Sequence, residues 1–156
     1  MEIATFAAGC FWGVEATFQS LNGVQQTRVG YTGGSQPNPN YEIICTGNTG
    51  HAEAIEISYD ENTISYEALL AVFWQNHNPT TLNRQGPDRG TQYRSAIFYH
   101  TPIQQQLASL SKQQLEQSAT WSNPIVTEIV PATEFYPAED YHQRYLEKRG
   151  MVSCHL

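Results

Sequence analysis

Basic residues are scarce in this chain. Eight Lys and Arg stand against fifteen Asp and Glu, a formal charge of −7. A surface of that sign repels a phosphate backbone, which argues against nucleic-acid binding. The one small basic group, Lys148 and Arg149, ends an expected helix, where cations suit the negative end of the dipole. No run of roughly 18 apolar residues occurs, so a membrane-spanning helix is not expected. Low-complexity tracts are absent as well, which argues against disorder. The opening MEIATFAAGC has no basic segment followed by an apolar stretch, so a cytoplasmic protein without a secretory signal is expected. Cysteines are few and unclustered: Cys10, Cys45 and Cys154, with no CxxC. That excludes a zinc ribbon and a dense disulfide scaffold. No His pair stands at i,i+4 spacing and none is spaced with a cysteine as metal ligands are, so no metal is expected. GYTGG at 30–34 lacks the following helix and Lys of a phosphate-binding loop.

What is present is patterned. The 156 residues suit one domain, 1–156, with one core. Residues 3–7 read as a strand, and Phe11, Val14, Phe18 and Leu21 follow helical spacing until Asn22-Gly23. Residues 24–31 and 53–59 read as strands, the second alternating Ile55, Ile57 and Tyr59 against Glu56 and Ser58. Tyr66, Leu69, Leu70, Phe73 and Trp74 form a helical stripe, with His77 at its end. A strand follows at about 93–100. Pro102 opens a Gln-rich helix over 102–118 whose stripe, Ile103, Leu107 and Leu110, is thin. A strand at 125–130 and a helix at about 138–148 complete the chain, and Gly150 precedes a tail carrying Cys154. The order predicts an α+β fold: a two-layer sandwich with a largely antiparallel sheet, a β-α-β-β-α-β core, and an added helix, strand and C-terminal helix and tail. Two long polar loops interrupt it, and loops of that length in a compact domain are usually functional.

Cys10 lies where a strand hands over to a helix, after Ala8-Gly9. Small residues permit a tight turn, and the N–H groups and dipole of a helix start favour a thiolate. A buried structural Cys is the alternative reading at this stage. Trp12 lies off the apolar stripe, free to wall a pocket beside the thiol. Glu53 opens a strand; in a poorly hydrated place such a carboxyl has a raised pKa and can act as an acid near neutral pH, whereas in water it is an ordinary surface group. Tyr41, Asp88 and Tyr93 lie in or beside the long loops. His51 and His142 are the histidines best placed to serve a rival reading, a cysteine hydrolase with a His base. A second rival is a peptide-binding module built on Trp12 and the tyrosines.

Five blocks taken together resemble one family: GCFWG at 9–13, GYTGG at 30–34, NPNYEIICTGNTGHAEAI at 38–55, NHNPTTLNRQGPDRGTQYRSAIFYH at 76–100 and FYPAEDYHQRYL at 135–146. In order and across nearly the whole chain, they are similar to the peptide methionine sulfoxide reductases of the A type, specific for the S epimer. The resemblance implies Cys10 as nucleophile, Phe11 and Trp12 holding the substrate methyl, and Glu53 protonating the sulfoxide oxygen. It also implies Tyr41 and Tyr93 hydrogen-bonding that oxygen, with Asp88 in the polar network. It implies a Cys10 sulfenic acid resolved by Cys154, with thioredoxin or a similar dithiol as partner, Cys45 being structural. Free methionine sulfoxide and oxidised proteins are the implied substrates; no cofactor is implied and a monomer is expected.

Overall fold

The structure is a computed structural model and describes residues 1–148. Its centre is β1, Glu2–Ala8, in which alternate side chains serve two faces of a sheet. Ala4, Phe6 and Ala8 point to the helical layer, and Ala7 to the opposite face. β2 (Val24–Thr32), β3 (Ala52–Tyr59), β6 (Ser95–Tyr99), β7 (Glu128–Pro131) and β8 (Tyr136–Pro137) complete a six-stranded sheet of order β7-β6-β1-β3-β2-β8. Every pairing is antiparallel except β6 with β7. That parallel pair needs a crossover, which helix α4, Pro102–Gln117, supplies. The α+β, largely antiparallel architecture is the expected one.

Helices α1 (Phe11–Gln19) and α3 (Tyr66–Gln75) cover the main core. Phe6 stacks on Phe18 of α1 at 5.5 Å and on Phe73 of α3 at 5.1 Å. Ile55, Ile57, Leu69 and Leu70 fill the space around them. Truncating a buried ring such as Phe6 to Ala would cost about 3–5 kcal/mol. On the far face the sheet presents small residues, Ala52, Ala54 and Ala96, packed by Val130, Ala132 and Phe135.

Several boundaries differ from expectation. α4 starts at Pro102 with Thr101 capping the Gln104 N–H; of the expected stripe Leu107 packs on the core but Ile103 and Leu110 are exposed, and Gln104 and Ala108 are the buried residues of the helix. Gln104 donates to the Ile3 carbonyl and accepts from the His100 N–H, so a polar side chain replaces part of the stripe. The strand expected from 93 begins at Ser95, because Thr91–Tyr93 form a 3₁₀ turn. The terminal helix expected over 138–148 is split into a 3₁₀ turn, Asp140–His142, and α5, Tyr145–Lys148. Arg144 breaks it at φ +54°, with its N–H turned to the buried carboxylate of Glu15 at 2.6 Å. Unforeseen elements are α2 (Tyr41–Ile44), capped by Asn40, and the small hairpin β4 (Arg84–Gln85) with β5 (Asp88–Arg89). β8 fits against β2 because Gly30 has no side chain: a Cβ there would lie 2.3 Å from the Tyr136 carbonyl oxygen.

Candidate active site

β1 ends at Ala8, and Gly9 turns the chain at φ +95°, a conformation that suits only glycine well. Cys10 is the N-cap of α1 and is partly exposed, with no side-chain cap bond. The first N–H of the helix, that of Phe11, donates to Glu53 Oε1 at 3.2 Å. A carboxyl from the neighbouring β3 therefore caps the helix at the point where Cys10 sits. Glu53 is only 2% exposed. Burial pushes its pKa up to about 8; the Phe11 N–H pulls the other way and the Asp88 carboxylate adds to the rise. The group holds its proton at neutral pH, unlike a strand-end carboxylate in water.

The field of Glu53 also reaches the two expected tyrosines. Tyr41, on α2, has a pKa pushed up to about 12 by burial, by a hydrogen bond with the Cys45 thiol, and by the charges of Cys45, Glu53 and Cys10. Tyr93, ending its 3₁₀ turn, is raised by burial and then by Glu53, Tyr41 and Asp88. Both hydroxyls therefore stay protonated donors over the working pH range. Asp88 lies on β5, half-buried, at the edge of this group.

The aromatic pair divides. Phe11 is 1% exposed, its ring 5.7 Å from Tyr31 and 5.2 Å from His142, so most of its surface is spent inside the protein. Trp12 keeps exposed surface, stacks on Tyr145 at 3.9 Å and donates Nε1–H to His142 Nδ1 at 2.9 Å. His142 is boxed by Phe11, Trp12, Tyr41 and Tyr141. Burial lowers its pKa, although the Glu139 carboxylate pulls it up. Its Nε2 is buried without a hydrogen-bond partner among the described residues, so it does not serve as a base for Cys10. His51 is equally unavailable: Nδ1 accepts from the Gly34 N–H and Nε2 donates to the Gln36 carbonyl. The hydrolase reading thus loses both of its histidines.

Cys45 is exposed at the end of α2 rather than packed in the core. Cys154 lies outside the described residues. Sequence reasoning missed Glu139, which accepts from the Tyr31 hydroxyl at 3.0 Å and the Tyr41 N–H at 3.1 Å. Burial alone would raise its pKa, but these donors, its own N–H and His142 outweigh that and hold it low. The FYPAEDYHQ stretch was the available signal for it. Among the described residues no cluster of His, Cys, Asp and Glu could hold a metal ion.

The model of the family described as peptide methionine sulfoxide reductase matches residues 2–156. The chain belongs to that family. MsrA of Methanosarcina acetivorans is 57% identical over 97% of this chain and 81% of its own. MsrA of Acidobacterium capsulatum is 55% identical over the full length of both. Among solved structures, reduced Mxr1 of Saccharomyces cerevisiae superposes with a TM-score of 0.87 at 39% identity, covering 96% of this chain and 86% of that one. MsrA of Corynebacterium diphtheriae gives 0.87 at 38% identity, covering 99% and 77%. Mxr1 in complex with Trx2 gives 0.62 at 28% identity, covering 92% and 84%. The family's reaction is an oxidoreduction, and the expected fold and enzyme class both hold for this chain.

Proposed function

We propose that this chain reduces the S epimer of methionine sulfoxide, free or within proteins, with Cys10 as the nucleophile and Glu53 as the acid. The observation that carries the reading is the buried, proton-holding Glu53 carboxyl bonded to the N–H directly after Cys10. A sulfoxide offers an electrophilic sulfur, a polar oxygen and an apolar methyl. The Cys10 thiolate attacks the sulfur while Glu53 delivers a proton to the oxygen, which is otherwise a very poor leaving group. General acid catalysis of this kind is worth about 10² to 10⁴ in rate. Tyr41 and Tyr93 donate hydrogen bonds to the oxygen as charge develops on it. Trp12, with the edge of Phe11, receives the methyl and excludes water, and Asp88 supports the polar side. Sulfoxide and thiol become methionine and a Cys10 sulfenic acid. The Cys154 thiol then condenses with that acid, forming a disulfide and releasing water, and an external dithiol reduces the disulfide. The complex of the related Mxr1 with Trx2 supports a thioredoxin-type donor.

The reading extends to one catalytic domain, 1–156, acting as a cytoplasmic monomer. What supports one domain is the six-stranded sheet, whose strands are drawn from Glu2 through Pro137; no helix among the described residues is long and apolar enough to cross a membrane.

The test is methionine formation from each sulfoxide epimer with dithiothreitol as reductant, for wild type and Cys10→Ser. Turnover of the S epimer alone, lost in Cys10→Ser, is expected. Full activity in Cys10→Ser overturns the assignment.

A further inference from the structure

The long loop between α3 and β6 meets Gly9, the residue before Cys10, through a side chain that the proposed mechanism leaves idle. Gln85, on β4, lies against Gly9: a Cβ at Gly9 would stand 2.8 Å from its Cγ and 2.9 Å from its Cβ. The amide beyond that stem is fixed. Its Oε1 accepts from the Asn78 N–H at 3.0 Å, and its Nε2 donates to the Asn78 carbonyl and, at 3.4 Å, to Thr81 Oγ1. One side chain thus reads both main-chain groups of Asn78, as a neighbouring strand would. The loop it grips is itself anchored, because the Val126 N–H donates to the Pro79 carbonyl at 2.8 Å. On the other side Gln85 pairs with Asp88 across the β4–β5 hairpin.

Gly9 is the residue whose backbone decides where Cys10 faces. Its φ of +95° leaves a glycine wide freedom, since no side chain restricts it. That freedom is removed from outside, by the methylenes of Gln85.

We propose that Gln85 is a positioning residue for the family's reaction: its stem, packed on Gly9 and anchored through Asn78, holds the turn that aims the Cys10 sulfur. This rests on Cys10 being the nucleophile. A misplacement of the order of an ångström at a reacting atom can cost about a hundredfold in rate, so a loosened turn has a kinetic signature before it has a structural one.

Three variants separate the stem from the amide. Gln85→Ala removes both, Gln85→Met keeps a stem of similar length without the amide, and Gln85→Asn keeps the amide but is one methylene shorter. Each is measured in a single turnover on a methyl sulfoxide without added reductant. The rate of Cys10 alkylation by iodoacetamide against pH and the thermal midpoint are recorded in parallel.

Gln85→Ala and Gln85→Asn are expected to lower the single-turnover rate about tenfold, and Gln85→Met to recover most of it. In Gln85→Ala the alkylation midpoint should move to higher pH as the thiol leaves the helix start. A wild-type rate in Gln85→Ala, or Gln85→Met no faster than Gln85→Ala, overturns the proposal. So does a lowered melting temperature with rate and alkylation profile unchanged. Should Gln85→Ala fail to fold, Gln85→Asn decides alone: a wild-type rate there refutes the positioning role. Cys10→Ser in the same assay tells the two failures apart. If it still forms product, the nucleophile reading fails and the Gln85 proposal falls with it.

Discussion

Trp12 and His142 are joined by a hydrogen bond of 2.9 Å between residues 130 positions apart, the indole N–H donating to Nδ1. An imidazole can accept there only when Nδ1 is unprotonated, so the ring carries its proton on the buried Nε2. Trp12 is fixed on its other side by Tyr145, nearly parallel at 9°.

Replacing His142 by Phe keeps a ring in the box and removes the acceptor. The half-buried indole N–H then loses its acceptor, at a cost of about 0.5–1.5 kcal/mol. The expected outcome is a lower denaturant midpoint and a raised KM for the sulfoxide, with kcat less affected, because Trp12 is held less firmly. Equilibrium unfolding and steady-state kinetics on the same preparation check it. An unchanged KM would show that the bond does not shape the substrate pocket.

Under the proposed mechanism, Glu53 sets an alkaline limit on the reaction. Its carboxyl carries a proton up to a pKa of about 8 in the folded protein, against an ordinary value of 4.5. The single-turnover rate should fall as pH rises through about 8, once corrected for thiolate formation at Cys10. Glu53→Gln should be slower by about 10² or more and lack that limb. The same shift acts on stability. The folded state holds a proton that the unfolded chain releases, so stability declines between pH 4.5 and about 8 and is flat above. Glu53→Gln should remove that decline in urea titrations at different pH.

His77 acts in the opposite direction. Its Nδ1–H donates to the Phe73 carbonyl, and Nε2 meets the Ser95 hydroxyl, which in turn contacts Thr127. Burial lowers its pKa from 6.5 to about 4, although the Phe73 carbonyl favours the charged ring. The unfolded chain takes up the proton first. Stability should therefore be lost as pH falls from 6.5 toward about 4, by about 3 kcal/mol in all. Denaturation midpoints across that window, compared with His77→Gln, measure it; equal slopes would refute the assignment.

Cys154→Ser tests the proposed resolving step. With thioredoxin as the sole reductant, the variant should form one equivalent of methionine and stop, while dithiothreitol restores turnover. Continued turnover with thioredoxin would exclude Cys154 as the resolving thiol.

The handover at Cys10 was legible in the sequence because it is local: small residues, then a helical stripe on Phe11, Val14 and Phe18. The burial of Glu53 was not. A single Glu opening a strand looks the same wet or dry, and what dries this one is the start of α1, 42 positions away. Trp12 was legible as an off-stripe residue, but its partner was not, since nothing near His142 announces an indole. Helix α2 was hidden by its Gly, Pro and Asn surroundings, although Asn40 caps it as such residues do. The split of the terminal helix at Arg144 has a tertiary cause, the call of the buried Glu15 carboxylate for that N–H, and no local propensity encodes it.

The segment from Tyr136 to Gln143 closes the sheet as well as the site. β8 covers Gly30 and Tyr31, and the Gln143 amide reads both main-chain groups of Val29, donating to its carbonyl and accepting from its N–H. That edge of β2 is therefore covered from a segment more than 100 positions away along the chain. Stripped of β8, the main-chain groups of Gly30 and Tyr31 would lie open on the sheet rim, a template on which a strand of another molecule can pair.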